Sequence, residues 1–242
     1  MNFPKLNFHT HTIFSDGNNN IRQIVTVALK LRINYLAITD HFSDSWKADV
    51  IPTLNTSRKI EAYLTIIEEC QNFLKTTSKD LNLYKGVEID LGSSVNFIRK
   101  LINPAKFDLI LFEYLEGPEG ISLITNMIKH WKKKISIGNN LPQFGLAHFD
   151  PSHFLYGGLD RLIQFLKEYN IYYEFNSSYS DYYSRRNEFF FEKLKEHYIP
   201  VAIGSDAHTL RGLGDIEDPI DMIKFYNLEN NFELFLKSLR RR

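Results

Sequence analysis

A chain of 242 residues makes one large domain or two small ones at roughly 100 to 200 residues per domain. Lysine plus arginine and aspartate plus glutamate each number 29, so the formal net charge is zero and no global positive field exists to hold a long nucleic acid. Hydrophobic residues at 43% and charged residues at 24% exclude disordered and collagen-like chains, and the single cysteine, Cys70, excludes an intrachain disulfide and a thiolate zinc knuckle.

Any metal site must therefore be built from His, Asp and Glu. The opening stretch, Met1 to Thr12, has neither a basic nor an apolar leader region, and no apolar run approaches the roughly 20 residues that span a bilayer. The expectation is a cytoplasmic protein with no membrane partner.

In chain order, short apolar runs alternate with longer amphipathic ones. Leu6 to His11 predicts a strand and Ile21 to Arg32 a helix; Tyr35 to Asp40 a strand and Ser57 to Lys75 a helix. Leu83 to Asp90 then predicts a strand and Ser93 to Ile102 a helix, followed by a strand at Phe107 to Leu111 and a helix at Ile121 to Lys134. Phe144 to His148, Ile171 to Phe175 and Val201 to Ser205 complete seven strands, interleaved with helices at Leu159 to Tyr169 and Arg185 to His197 and followed by a terminal helix near Asp218 to Leu239. Repeated strand-helix units imply parallel pairing in an open doubly wound sheet or a barrel. No Pro/Gly/Ser-rich linker interrupts the series, so residues 1–242 read as a single domain. The like-charge runs Lys132-Lys133-Lys134 and Arg240-Arg241-Arg242 read as solvated helix ends.

Ligand-type residues collect at the C-terminal ends of these strands. The first ends His9-Thr10-His11, the second Asp40-His41, the third Glu88-Ile89-Asp90, the fifth His148, and the seventh is followed by Asp206-Ala207-His208. Parallel barrels and doubly wound sheets place active sites at those ends. In an extended chain residues i and i+2 share a face, so His9 and His11 can project into one cavity, and an extended Asp206-Ala207-His208 would offer a second such pair. Imidazoles and carboxylates without thiolates suit Zn, Mn or Fe, and a carboxylate such as Glu88 can bridge two ions. Ions roughly 3.5 to 4 Å apart bind phosphoryl oxygens and lower the pKa of a water nucleophile, which is the apparatus of phosphoester hydrolysis.

His9-Thr10-His11 with Ser15-Asp16-Gly17, then Ile38-Thr39-Asp40-His41, Gly86-Val87-Glu88-Ile89-Asp90 and Gly204-Ser205-Asp206-Ala207-His208 resemble, in order and spacing, the motifs of the polymerase and histidinol phosphatase (PHP) family. The resemblance implies an α/β fold, a distorted (β/α)7 TIM-like barrel, with one to three divalent metals at its C-terminal mouth. It places one ion on His9, His11, Glu88 and Asp206, with Glu88 bridging to a second that His148 also binds, and a third on Asp16, His41 and His208. Glu88, Asp206 and His208 are the expected catalytic residues, and Asp40 is expected to orient a neighbouring ligand. Such families usually carry a further His after strand four; here that stretch reads Leu111-Phe112-Glu113-Tyr114-Leu115, with Leu115 near its place and Glu113 either a substitute ligand or a structural or substrate-facing acid.

For substrate the resemblance implies a small phosphomonoester, with histidinol phosphate the sharpest version and Asn176-Ser177-Ser178 similar to the Asn-containing loop of histidinol-phosphatase-like members. Other phosphoesters, including nucleotides and phosphotyrosine, and a metal-binding module without catalysis are the alternatives. Arg185, Arg186 and Arg211 are the candidate phosphate-binding side chains. His130 and His197 fall in helical segments and read as surface residues, and His153 lies in a loop five residues after His148. The aromatic stretch from Tyr169 to Tyr183, with Phe189-Phe190-Phe191, reads as core packing.

Overall fold

The computed structural model describes residues 3–135, 141–155 and 157–240. Each predicted apolar run forms a parallel strand: β1 (Leu6–Asn7), β2 (Tyr35–Ile38), β3 (His41–Phe42), β4 (Asn82–Lys85), β5 (Glu88–Asp90), β6 (Leu109–Glu113), β7 (Gln143–Leu146), β8 (Ile171–Asn176) and β9 (Val201–Gly204). The third predicted strand is broken in two, and the second ends at Ile38 and is followed by the short β3 beyond its predicted end. Between β2 and β3, Thr39 Oγ1 accepts the Thr10 backbone N–H at 3.0 Å, taking a donor from the ladder. The same level is pinned from outside by Tyr63, whose buried hydroxyl lies 2.7 Å from the Ile38 carbonyl and 2.8 Å from that of Gly86.

One sheet runs β1-β2-β4 and the other β3-β5-β6-β7-β8-β9. Because β2 leads into β3 and β4 into β5, the two share their middle strands. The outer edges meet as well: Phe8 N–H donates to the Ile203 carbonyl at 2.9 Å, His11 N–H to the Ala207 carbonyl at 3.0 Å, and Thr10 and Ala207 form a parallel bridge. Seven strand positions thus follow one another around a ring, as the expected barrel requires. Leu6, Phe8, Leu36, Ile38, Ile89, Leu111, Phe175 and Ile203 are fully buried in one apolar core.

Helices cover the outside: α1 (Ile21–Leu31), α2 (Lys47–Val50), α3 (Ser57–Thr76), α4 (Val95–Leu101), α5 (Pro118–Lys134), α6 (Ser152–Leu155), α7 (Leu159–Tyr169), α8 (Glu188–Glu196), α9 (Glu217–Phe225) and α10 (Glu229–Arg240). Local chemistry fixes their ends. Asn20 and Gln23 form a reciprocal capping box at the start of α1, each side chain accepting the other's backbone N–H at 3.0 Å, and Ile21, Ile24, Val25 and Ala28 give that helix its buried stripe. Lys132, Lys133 and Lys134 are exposed at the end of α5, as expected; Arg241 and Arg242 lie outside the described residues.

The expected single terminal helix is two. Asn227 adopts a left-handed conformation (φ 54°) and Leu228 N–H bonds back to the Ile223 carbonyl at 2.8 Å, ending α9 before Leu228 turns inward to start α10. Hydrophobic periodicity runs through that break, so it carried no warning. No helix among the described residues is long and apolar enough to cross a membrane.

Candidate metal centre at the mouth of the barrel

Strand register sets the ligands side by side. His41 pairs with Glu88 across β3 and β5, and Asp90 with Glu113 across β5 and β6. On the other side, the Thr10–Ala207 bridge holds His9 and His11 against Asp206 and His208. Asp206-Ala207-His208 is not fully extended as expected: Asp206 takes φ 51° and His148 φ 32°, both in the left-handed region, where the chain leaves the sheet. Such backbone costs about 1–3 kcal/mol per residue and clusters at functional sites.

Glu88 is the hub. Its Oε1 lies 3.3 Å from His9 Nε2 and 3.2 Å from His148 Nε2; its Oε2 lies 2.7 Å from His41 Nδ1 and 3.5 Å from His11 Nε2. Asp206 Oδ1 is 2.9 Å from His11 Nε2 and 3.4 Å from His9 Nε2. Asp16 stands on the open side, 3.2 Å from His208 Nε2, 3.6 Å from His11 Nδ1 and 3.7 Å from His41 Nε2. Three groups with ion-binding spacing result from the expected residues: His11, Asp16, His41 and His208; His9, His11 and Asp206; and His9, Glu88 and His148. All eight metal-ligating candidates therefore converge.

Their charges interlock. Burial alone would push the Glu88 carboxyl up, but His9 and His41 hold it well below the usual carboxylate range. Burial likewise works against charge on His41, yet Glu88 and Glu113 outweigh it and push the ring's pKa up to about 10. His11 is the exception, lowered by its burial and by His41. The protons held on these rings are what ion binding would release.

The donors fit a divalent ion on grounds independent of spacing. Glu88 Oε1 and Oε2 and Asp16 Oδ1 are buried with no donor in hydrogen-bonding geometry. An ionised carboxylate in that state is costly unless a cation serves it.

Supporting residues hold these ligands in place. Asp40 accepts from the Thr12 N–H and hydroxyl, both at 2.8 Å, and from the Ser15 N–H and hydroxyl at 3.0 and 2.6 Å, fixing the loop that carries Asp16. Asp90 is held by the hydroxyls of Ser43 and Ser45 and by the Gly92 N–H, and it takes no part in the ion groups.

Two buried residues escaped the sequence reading. Glu174 reaches His9 Nδ1 at 3.0 Å and accepts the His148 N–H at 2.7 Å, orienting two candidate ligands at once. The signal was present: an acid in mid-strand, on the face that alternation turns inward, is rarely idle. Lys47, from α2, binds both Glu113 oxygens at 2.8 and 2.6 Å. Its charged form is favoured over its ordinary range, since Glu113 and Glu88 outweigh the cost of burial. Leu115, near the place of the expected His, is buried in the core.

Gly204 makes room for Glu174. A Cβ there would lie 1.8 Å from Glu174 Oε1 and 2.7 Å from His9 Cβ. Gly204→Ala is expected to cost about 1–3 kcal/mol through overpacking, seen as about 2–4 °C of Tm per kcal/mol in a thermal melt. An unchanged Tm would mean that Glu174 is free to move.

The three arginines behave differently from the ligands. Arg185 is exposed and lays its guanidinium 5.7 Å from the Phe225 ring centroid. Arg186 is exposed and 3.8 Å from Asp150, two residues beyond His148, and Arg211 is exposed. Asn176 is buried behind His9, 3.4 Å from Nδ1, with its Oδ1 accepting the Ser178 N–H. His130 lies on α5, His153 is exposed on α6 and His197 ends α8; none joins an ion group among the described residues. Tyr172, Tyr173, Phe190 and Phe191 are fully buried, as core packing requires, whereas Tyr179 stacks on His148 with centroids 4.4 Å apart.

No curated protein matches this sequence. Solved structures do. A proposed histidinol phosphatase, HisK, from Listeria monocytogenes is 17% identical with a TM-score of 0.62, covering 87% of this chain and 97% of its own. Histidinol phosphate phosphatase from Lactococcus lactis, solved with zinc, L-histidinol and phosphate, is 16% identical with a TM-score of 0.61, covering 92% and 93%. A chain from the structures of YwqE of Bacillus subtilis and CpsB of Streptococcus pneumoniae, metal-dependent tyrosine phosphatases, is 16% identical with a TM-score of 0.54, covering 94% and 87%. These likenesses concern the fold; the PHP domain family model matches residues 7–240 of the sequence itself, and the chain belongs to that family.

Proposed function

We propose that this chain is a metal-dependent phosphoesterase that hydrolyses a small phosphomonoester with water activated in a multinuclear centre. The observation that carries this reading is the convergence of His9, His11, Asp16, His41, Glu88, His148, Asp206 and His208 around buried carboxylate oxygens that lack donors. Bound ions would supply Lewis-acid charge and a lowered pKa for the attacking water. The chain's own part is positional. Glu88 offers one oxygen toward His9 and His148 and the other toward His11 and His41, so it suits a bridging role. Glu174 fixes the His9 ring, and Asp40 fixes the loop that presents Asp16. Arg186, whose neighbour Asp150 follows His148 closely, Arg211, which follows His208, and Arg185 are the candidates to meet a phosphate.

A cavity of about 620 Å³ beside the mouth, lined in part by Trp46, Asp90, Tyr114, Glu116 and Glu119, has room for the alcohol part of a small ester. Its aromatic and acidic lining favours a ring-bearing alcohol with an amine, so histidinol phosphate heads the candidate substrates. The zinc, L-histidinol and phosphate in the Lactococcus lactis structure point the same way for that protein. Zinc, manganese and iron all suit the donor set.

The test is metal removal. Stripping the protein with a strong chelator should abolish hydrolysis of an aryl phosphate, and adding back Zn, Mn or Fe should restore it. A folded protein inactive under every reconstitution overturns the proposal. A screen over histidinol phosphate, nucleoside phosphates and phosphotyrosine peptides then ranks substrates, and preference for a phosphotyrosine peptide would replace the histidinol reading.

A further inference from the structure

The carboxylates around the mouth fall into two kinds. Glu88 and Asp16 keep buried oxygens without a donor, whereas both Glu113 oxygens accept from Lys47 Nζ, at 2.8 and 2.6 Å. Yet His41, Glu88 and Glu113 have the spacing of an ion-binding group like the other three. That fourth group already holds a cation. The Lys47 side chain is only 8% exposed, its ammonium lies 3.5 Å from His41 Nδ1, and it sits 4.8 Å from the centroid of the Tyr114 ring, whose π face favours positive charge. Its N–H groups serve both Glu113 oxygens and the Tyr114 ring lies beside it, so the ammonium is held from more than one side.

We infer that Lys47 is a built-in cation occupying the ion position between His41, Glu88 and Glu113, so that the chain binds divalent ions at its other positions and not at this one. The inference rests on the metal-dependent reading above. A divalent ion on Glu113 would have to share the carboxylate with an ammonium in direct contact, and like charges at that distance in a buried site repel strongly. Lys47 therefore supplies permanently, as a single charge, what an ion would supply reversibly as a double one. It acts as a positioning residue for Glu113 and His41.

Ion counting by mass spectrometry, after saturation with Mn or Zn and removal of free metal, tests this directly. The wild-type chain is expected to hold at most three ions, one for each of the other groups, and Lys47→Met to gain one, while Lys47→Arg, which keeps the charge, leaves the count unchanged. If Lys47→Met does not fold, Lys47→Gln serves instead, since it keeps a hydrogen-bond donor for Glu113 without the charge; it too should gain one ion. A wild-type chain holding four ions overturns the inference and leaves the phosphoesterase proposal standing. No gain in whichever variant folds also overturns it. A wild-type chain that takes up no ion overturns both.

Discussion

Glu88→Gln is expected to lower kcat/KM for an aryl phosphate by at least about 10³-fold, which is about 4 kcal/mol at 1.36 kcal/mol per factor of ten, and to remove at least one bound ion per chain. Four imidazoles surround this carboxylate, at 2.7 to 3.5 Å from its two oxygens. The amide has the same shape but only one oxygen and no charge, so it cannot serve two ions at once. Because His9 and His41 hold the buried Glu88 carboxyl well below the usual carboxylate range, its charge also stabilises the metal-free fold at neutral pH, and the melting temperature of the stripped protein should fall. Activity within tenfold of wild type, with an unchanged ion count, would show that Glu88 is not a bridging ligand.

Glu174→Gln should weaken metal affinity by about 10- to 100-fold, the usual cost of losing a group that orients a ligand. Glu174 touches His9 through the nitrogen turned away from the ion groups, and it also holds the N–H of His148, whose backbone is left-handed. Its negative charge favours a proton on His9 Nδ1, leaving Nε2 free to ligate. Glu174→Ala should be worse, because it also leaves the His148 N–H without its acceptor. Competition with a chromophoric chelator measures both. Equal affinity in wild type and Glu174→Ala would reduce Glu174 to a packing residue.

Much of the site could be read from position along the chain. A histidine or acid at the end of an apolar run is ambiguous singly, but five loaded strand ends pointed to one mouth, and His9, His11, His41, Glu88, His148, Asp206 and His208 all lie there. Lys47 could not be read that way. It sits in a one-turn helix on a loop, and its meaning depends on Glu113, 66 residues away and reached only through the tertiary fold. Glu174 was more accessible, since inward alternation along β8 and the facing Gly204 both mark its place. The ring contact of Arg185 could not be read either, since its partner Phe225 comes from a helix 40 residues further on. Backbone breaks were least legible. The division at Asn227 depends on a single left-handed residue that apolar periodicity passes over.

The seam between the first and last strands sets an order of events. Asn7 and Ser205, hydrogen-bonded across it, are 198 residues apart in sequence, and the same seam brings His9 and His11 to Asp206 and His208. During synthesis the first pair of ligands emerges early and the second only after five intervening strand positions have been made. No partial chain lacking β9 can complete the two groups that use Asp206 or His208, so ions at those positions must load after the ring closes. Such long-range pairing is slow, since the chain loses loop entropy before the contacts form. Ions at those positions should therefore slow unfolding and leave the rate of ring closure unchanged.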